Sequence, residues 1–189
     1  LYLGIVPEGK EQLVADKLCE VVRANNHFLD FGLLGSKSVP AMLTRYGYVE
    51  DAMKMITKTE APSWGYWVET MGYTTLPETW TLSPQFRDAS LNHVFMGDVS
   101  AWMMNQLAGI NYDAAGPGFR HILITPHFVE GMDWAKGEYH SVRGLISSQW
   151  KREGGKVTLT VTIPSGCTAD IRVGDKTETV GSGTYVNTY

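Results

Sequence analysis

The chain has 189 residues, enough to bury a core in one large domain or two small ones. Hydrophobic residues make up 43% and charged residues 19%, proportions that exclude a disordered chain. A net charge of −4 with no local Lys/Arg cluster gives no footprint for nucleic acid, and no run approaches the roughly 18 apolar residues of a membrane span.

In chain order, the first element expected is a helix from Pro7 to Ala24. Leu13, Val14, Leu18, Val21 and Val22 recur at three- and four-residue intervals, Pro7 suits a first turn, and Asn25-Asn26 suits a stop. A short helix from Val39 to Tyr46 ends at Gly47, and another runs from Val49 to Lys58 with Ala52, Met53, Met55 and Ile56 apolar. An aromatic loop, Trp64-Gly65-Tyr66-Trp67, follows. The last helix expected is His93 to Leu107, closed by Gly109.

Beyond about residue 110 the apolar period shortens toward two. Ile122 to Ile124, Gly137 to Ser141, Leu145 to Trp150, Lys156 to Ile163 and Ala169 to Val173 read as strands, with Gly154-Gly155 and Pro164-Ser165-Gly166 as turns. Val157, Leu159, Val161 and Ile163 alternate with Thr158, Thr160 and Thr162, the pattern of a half-buried strand. Short strands joined by such turns predict an antiparallel β-sandwich, with Asn111 to Gly118 as the join. The expectation is thus two domains, a helical one over 1–110 and a sandwich over 111–189.

Cys19 and Cys167 fall on opposite sides of that join; a disulfide between them is an unforced alternative, and they read first as two buried free thiols. His27, His121, His127 and His140 show no ligand spacing, so no zinc site is expected. Glu60 and Glu69 read as solvated surface. The chain opens at Leu1 without Met and enters structure at once, so it reads as the later part of something longer, and no compartment can be assigned.

The chemistry concentrates in two stretches, Gly72 to Trp80 and Ser90 to Asp98. They hold a carboxylate (Glu78), an indole (Trp80) and an imidazole (His93), the groups a sugar-processing pocket uses to move protons, stack on ring C–H bonds and bond hydroxyls. Glu78 also has a purely structural reading. Thr75-Leu76-Pro77-Glu78 fits a helix-capping box, with Glu78 returning to the Thr75 backbone N–H. On composition alone, Trp64 and Trp80 read as packing residues before sugar platforms.

Several motifs in order resemble the bacterial α-L-rhamnosidases. They are Leu3 to Glu8, Gly32-Leu33-Leu34-Gly35, Tyr46-Gly47-Tyr48 to Ala52, Pro62-Ser63-Trp64-Gly65-Tyr66, Thr74 to Trp80 and Ser90-Leu91-Asn92-His93. In the β part, Pro117-Gly118-Phe119, Pro126, Tyr139, Arg143-Gly144, Trp150 and Ile163-Pro164 look like the family's trailing sandwich. The resemblance implies a partial (α/α)6 barrel, about half its helices, followed by an antiparallel β-sandwich. It implies inverting hydrolysis of terminal α-L-rhamnosides without a cofactor, with Glu78 as general base and His93, Trp80 and Trp64 binding sugar. The general acid would lie in a half of the barrel that this chain lacks, so the chain should need that half or a partner chain. Pro77 and Thr79 beside the base differ from the commoner family pattern, in which Trp precedes and a polar residue such as Arg follows. The rival readings are an (α/α)6 glycosidase for another sugar, and a non-catalytic carbohydrate-binding or structural module.

Overall fold

A computed structural model describes residues 1–80 and 89–189. They form two compact units, Leu1–Ala101 and Trp102–Tyr189.

The first unit is helical. Helix α1 spans Glu11–Ala24, α2 Leu33–Arg45 and α3 Val49–Thr57. α1 begins later than expected because Pro7 belongs to a preceding turn, in which its carbonyl accepts the Lys10 N–H at 3.1 Å. It stops where expected, at Asn25, and Asn26 and His27 take left-handed backbone angles of 50° and 61°. The buried face is not the expected apolar stripe. Ala15, Cys19 and Val22 are buried, while Leu13, Val14 and Val21 are 64%, 39% and 55% exposed. Small side chains at Ala15 and Cys19 let α1 approach its neighbours closely, and the larger apolar residues are turned outward.

α2 starts earlier than the sequence suggests, because Gly35, Ser36 and Ser38 are weak helix formers and mask its first turns. Pro40 sits inside it and removes one ladder bond. Side-chain hydroxyls tie down carbonyls nearby: Ser36 donates to Leu33 at 2.6 Å and Thr44 to Pro40 at 2.9 Å.

At the junction of α1 and α3, the buried Asp51 carboxylate accepts two bonds from Arg23, both 2.8 Å, and a third contact from His27 at 2.9 Å. Arg23 first, and His27 after it, hold the Asp51 carboxyl well below the usual carboxylate range against the opposing effect of burial. Burial, reinforced by the Asp51 charge, pushes the neighbouring Cys19 thiol up to about 11, which leaves it unreactive at neutral pH.

The expected helix over 93–107 is realised only in part. Helix α4 covers Asp98–Trp102 and passes directly into a π-helical turn, Met103–Leu107. Ser90 and His93 are instead engaged in the backbone pairing described below, with a bend at Leu91 and Asn92 between them, and the helix begins only at Asp98. Gly109 closes the segment with φ +79°, and a Cβ there would lie 2.2 Å from the Pro126 nitrogen.

The second unit is strand-rich. Strands β1 (Ile110–Tyr112), β2 (His121–Ile124), β6 (Thr168–Val173) and β7 (Lys176–Val180) form one four-stranded sheet in the order β1-β2-β6-β7. Strands β3 (Trp134–Ser141), β4 (Gly144–Glu153), β5 (Lys156–Ile163) and β8 (Gly183–Thr188) form the other, in the order β3-β4-β5-β8. The sequence hides β1, β7 and β8. β1 lies within the expected join, and Lys176–Val180 has a single apolar residue, as an edge strand does. A wholly antiparallel arrangement is not what forms: β2 and β6 pair in parallel, His121 beside Thr168.

Alternation along β5 buries Val157, Leu159, Val161 and Ile163, as the sequence suggests. Trp150 is fully buried and its indole N–H donates to the Leu107 carbonyl at 2.8 Å. Cys19 and Cys167 are both buried and free. Among the described residues, no helix is long and apolar enough to cross a membrane.

Candidate active site

Two short segments of the first unit lie side by side, running in opposite directions. The Glu78 N–H donates to the Ser90 carbonyl at 2.8 Å and the His93 N–H to the Leu76 carbonyl at 2.8 Å. The Thr75 hydroxyl clasps the same pair by donating to the Leu91 carbonyl at 2.7 Å. This strap puts the backbones of Glu78 and His93 in adjacent segments despite the residues between them in sequence.

Neither half of the expected capping box forms. Residues 75–78 are not helical, Thr75 bonds Leu91, and the Glu78 carboxylate accepts the Ser90 N–H through Oε2 at 3.0 Å. Glu78 is half-buried, so its carboxylate is partly anchored and partly open to water. A carboxylate held through one oxygen keeps lone pairs on the other for a proton acceptor's work.

His93 is also half-buried and precedes the helix instead of starting it. Its Nδ1 accepts the Phe95 N–H at 3.3 Å, and its ring meets Phe95 edge-on at 5.4 Å. An Nδ1 that accepts has no proton, so in the neutral ring the proton sits on Nε2, assigned from that bond. His93 therefore offers an N–H donor on its outer edge.

Trp80 is the centre of an aromatic cluster. It stacks on Trp67 at 4.6 Å and meets the edges of Trp64 at 5.0 Å and Phe31 at 6.0 Å. Its indole N–H donates to the Phe31 carbonyl at 2.5 Å. Most of its surface is covered by protein, and a smaller part is open. Trp64 differs. It is 3% exposed, with its N–H bonded to the Met96 carbonyl at 2.9 Å, so it has no free face for a sugar and stands behind Trp80.

The loop that carries Trp64 and Trp67 is fixed against α3. A Cβ on Gly65 would lie 2.5 Å from the Lys58 carbonyl oxygen and 2.7 Å from that of Thr57, so only glycine fits this approach. The buried Ser63 hydroxyl bonds the Lys58 and Glu60 carbonyls and accepts the Tyr66 N–H, after which a π-helical turn spans Tyr66–Thr70.

A hollow of about 250 Å³ opens beside the strap, lined by Gly72, Tyr73, Thr74, Thr75, Pro77 and Leu91. A larger apolar cavity of about 450 Å³ lies elsewhere, walled by residues of α1 and α2 such as Val14, Leu18, Leu34 and Met42, and contains no carboxylate. Thr75 and Pro77, which line the smaller hollow, neighbour Glu78 in sequence. Among the described residues, no three His, Cys, Asp or Glu side chains gather to hold a metal ion. Sequence reasoning missed Ser90 as the partner of Glu78, and Phe31 and Trp67 as the setting of Trp80. No spacing signal marks these pairings, which cross loops.

The loops of the first unit thus carry a half-buried carboxylate, an oriented imidazole and an indole set among other aromatic rings. A family model described as the bacterial α-L-rhamnosidase 6 hairpin glycosidase domain matches residues 1–107, and one described as the bacterial α-L-rhamnosidase C-terminal domain matches residues 109–186. The chain belongs to the bacterial α-L-rhamnosidase family.

It is 30% identical over 177 residues to an α-L-rhamnosidase of Streptomyces avermitilis, covering 90% of this chain and 17% of that protein. It is 27% identical over 175 residues to one of Formosa agariphila, covering 90% and 18%. The crystal structure of Streptomyces avermitilis α-L-rhamnosidase complexed with L-rhamnose superposes with a TM-score of 0.89 at 26% identity, covering 100% of this chain and 20% of that one. The enzyme from Dictyoglumus thermophilum gives 0.86 at 27% identity, covering 98% and 24%. The chain thus spans about a fifth of the length of these relatives.

Proposed function

We propose that this chain supplies the general-base side of an inverting α-L-rhamnosidase active site. Glu78 is the base, and the observation that carries this reading is its Oε2 anchored on the Ser90 N–H within the strap that also bears His93. Inversion needs an ionised carboxylate to activate water on the face opposite the leaving group, with the acid roughly 6.5–9.5 Å away. The acid comes from a part of the enzyme beyond these 189 residues. His93 donates through Nε2 to a sugar hydroxyl, the open part of Trp80 walls the ring, and Trp64 backs Trp80 from the core.

In this reading residues 1–110 are about half of an (α/α)6 barrel and residues 111–189 a β-sandwich domain. The six hairpins named in the matching family support it, since α1 to α3 and α4 fall well short of twelve helices. So does the apolar cavity bounded by outward-turned residues of α1 and α2, a surface suited to burial under further helices.

The test is hydrolysis of an aryl α-L-rhamnoside by the full-length enzyme and its Glu78→Gln variant, with the first-formed anomer read by NMR. Loss of turnover in the variant and initial β-L-rhamnose support the reading. Intact turnover, or initial α-L-rhamnose, overturns it. The 189-residue chain by itself should hydrolyse almost nothing, and vigorous Glu78-dependent turnover by it would overturn the division of the site.

A further inference from the structure

The outward face of the sheet β3-β4-β5-β8 holds a feature with no part in the proposed catalysis. Strand register sets Trp134, Lys151 and Thr158 in one row, and Lys136, Gln149 and Thr160 in the next. Trp134 is 62% exposed, whereas Trp64, Trp67, Trp102 and Trp150 are buried and Trp80 is half-buried. An indole left in water on a rigid sheet forgoes a large burial gain that a ligand can supply.

Beside it lies a hollow of about 210 Å³, lined by Gln149, Lys151, Glu153, Thr158 and Thr160, every one a hydrogen-bonding side chain. Lys151 belongs to both features. It lines the hollow and is the direct cross-strand neighbour of Trp134, a relationship that brings Cβ atoms within about 4.5–5.5 Å. Trp134 is therefore the cross-strand neighbour of a residue that lines the hollow.

Two ammonium groups on this face are paired in place, Lys136 with Glu138 at 2.8 Å and Lys151 with Glu153. Lys156, exposed opposite Glu153, adds one further positive charge, and neither an acidic nor a strongly basic patch forms. A protein-binding hot spot would surround its tryptophan with apolar, desolvated contacts. Here the surroundings are hydroxyls, a carboxamide, ammonium groups and carboxylates.

We propose that this face is a second carbohydrate-binding site, which takes a neutral oligosaccharide by stacking one pyranose ring on Trp134 and bonding its hydroxyls to Gln149, Lys151 and Thr158. A pyranose presents C–H bonds on one face and hydroxyls around its rim, and the row of indole, ammonium and hydroxyl matches that division. β4 lies between β3 and β5, so the hydrogen-bonding side chains stand on a paired, rigid support.

The experiment is a titration of the ¹⁵N-labelled protein with rutinose (a neutral rhamnose-terminated disaccharide), with cellobiose, and with an acidic oligogalacturonate. The expected result is a saturable shift of the Trp134 indole signal and of the Lys151 and Thr158 amides with at least one neutral sugar. Trp134→Ala should weaken that binding about tenfold, and Gln149→Ala severalfold. Both positions are exposed, so unchanged circular dichroism and urea midpoints are the control for folding. Glu78→Gln and Trp80→Ala should leave these shifts in place, which separates this site from the proposed catalytic one. An unmoved Trp134 signal with both neutral sugars, preference for the oligogalacturonate, or unchanged binding in Trp134→Ala would overturn the proposal.

Discussion

Glu78 and Ser90 hold each other twice: the Glu78 N–H donates to the Ser90 carbonyl at 2.8 Å, and the Ser90 N–H donates to Glu78 Oε2 at 3.0 Å. The second bond reaches only one oxygen of the carboxylate. Glutamine in its place keeps a carbonyl oxygen for Ser90 but cannot take a proton. Glu78→Gln is therefore expected to lower kcat in the full-length enzyme by about 10²–10⁴-fold. The same change should move the urea unfolding free energy by no more than about 0.5 kcal/mol. A large stability loss with modest loss of kcat would mark Glu78 as a structural residue.

Trp80 is predicted to matter for both stability and substrate affinity. Its ring touches Phe31, Trp64 and Trp67, so Trp80→Ala should cost about 3 kcal/mol in urea unfolding. Trp80→Phe keeps a ring but leaves the Phe31 carbonyl without its 2.5 Å donor, and should cost less. In the intact enzyme, Trp80→Phe should raise KM more than it lowers kcat. The reverse split would remove Trp80 from the sugar wall.

Asp51 makes a pH prediction whose sign follows from the direction of its shift. Arg23, then His27, depress its folded-state pKa below the unfolded value of about 3.9. The stabilisation is therefore complete above that value and lost as pH falls toward the depressed one. Asp51→Asn should destabilise the chain by about 2–3 kcal/mol near neutrality, since bonds to a charged acceptor are weakened together. Urea midpoints measured downward from about pH 5 should fall in the wild type and flatten in the variant. Parallel curves would assign acid sensitivity to other groups.

In the strand-rich unit, Trp150→Phe retains the buried ring but strips the Leu107 carbonyl of its donor. A cost of about 1–3 kcal/mol in denaturant unfolding is expected. Gly109→Ala should be at least as damaging, because the added methyl would sit 2.2 Å from the Pro126 nitrogen at a positive φ. Near wild-type midpoints for both would show that the end of the π-helical turn relaxes freely.

The order of helices and then strands was legible because it rests on local period. β5 shows this well, its valines and isoleucine alternating with threonines over Lys156–Ile163. α2 was under-read because Gly35, Ser36 and Ser38 give no propensity signal, and the burial that keeps it helical comes from elsewhere in the unit. α1 was found, but with the wrong face inward. Periodicity reports where large apolar groups lie, whereas the packed face uses Ala15 and Cys19. At the candidate site, Glu78, Trp80 and His93 are singled out by the family resemblance of the motifs that carry them, since residue type alone favours packing and capping roles. Their holders, Ser90, Phe31 and Trp67, lie in other loops and become visible only when the chain is folded.

The parallel pairing of β2 with β6 dictates an order of assembly. β3 pairs with β4 and β4 with β5 across tight turns, so these two hairpins close over short loops and form early. β2 must wait for β6, because His121 meets Thr168 only after the whole intervening meander is in place. Closing that long segment costs entropy before any contact repays it. In pulse-labelled hydrogen exchange during refolding, amides of Lys156–Ile163 should gain protection first and those of His121–Ile124 last, since β6 already has a tight-turn partner in β7 while β2 waits for the long closure; an inner strand of one sheet is then the final piece to lock.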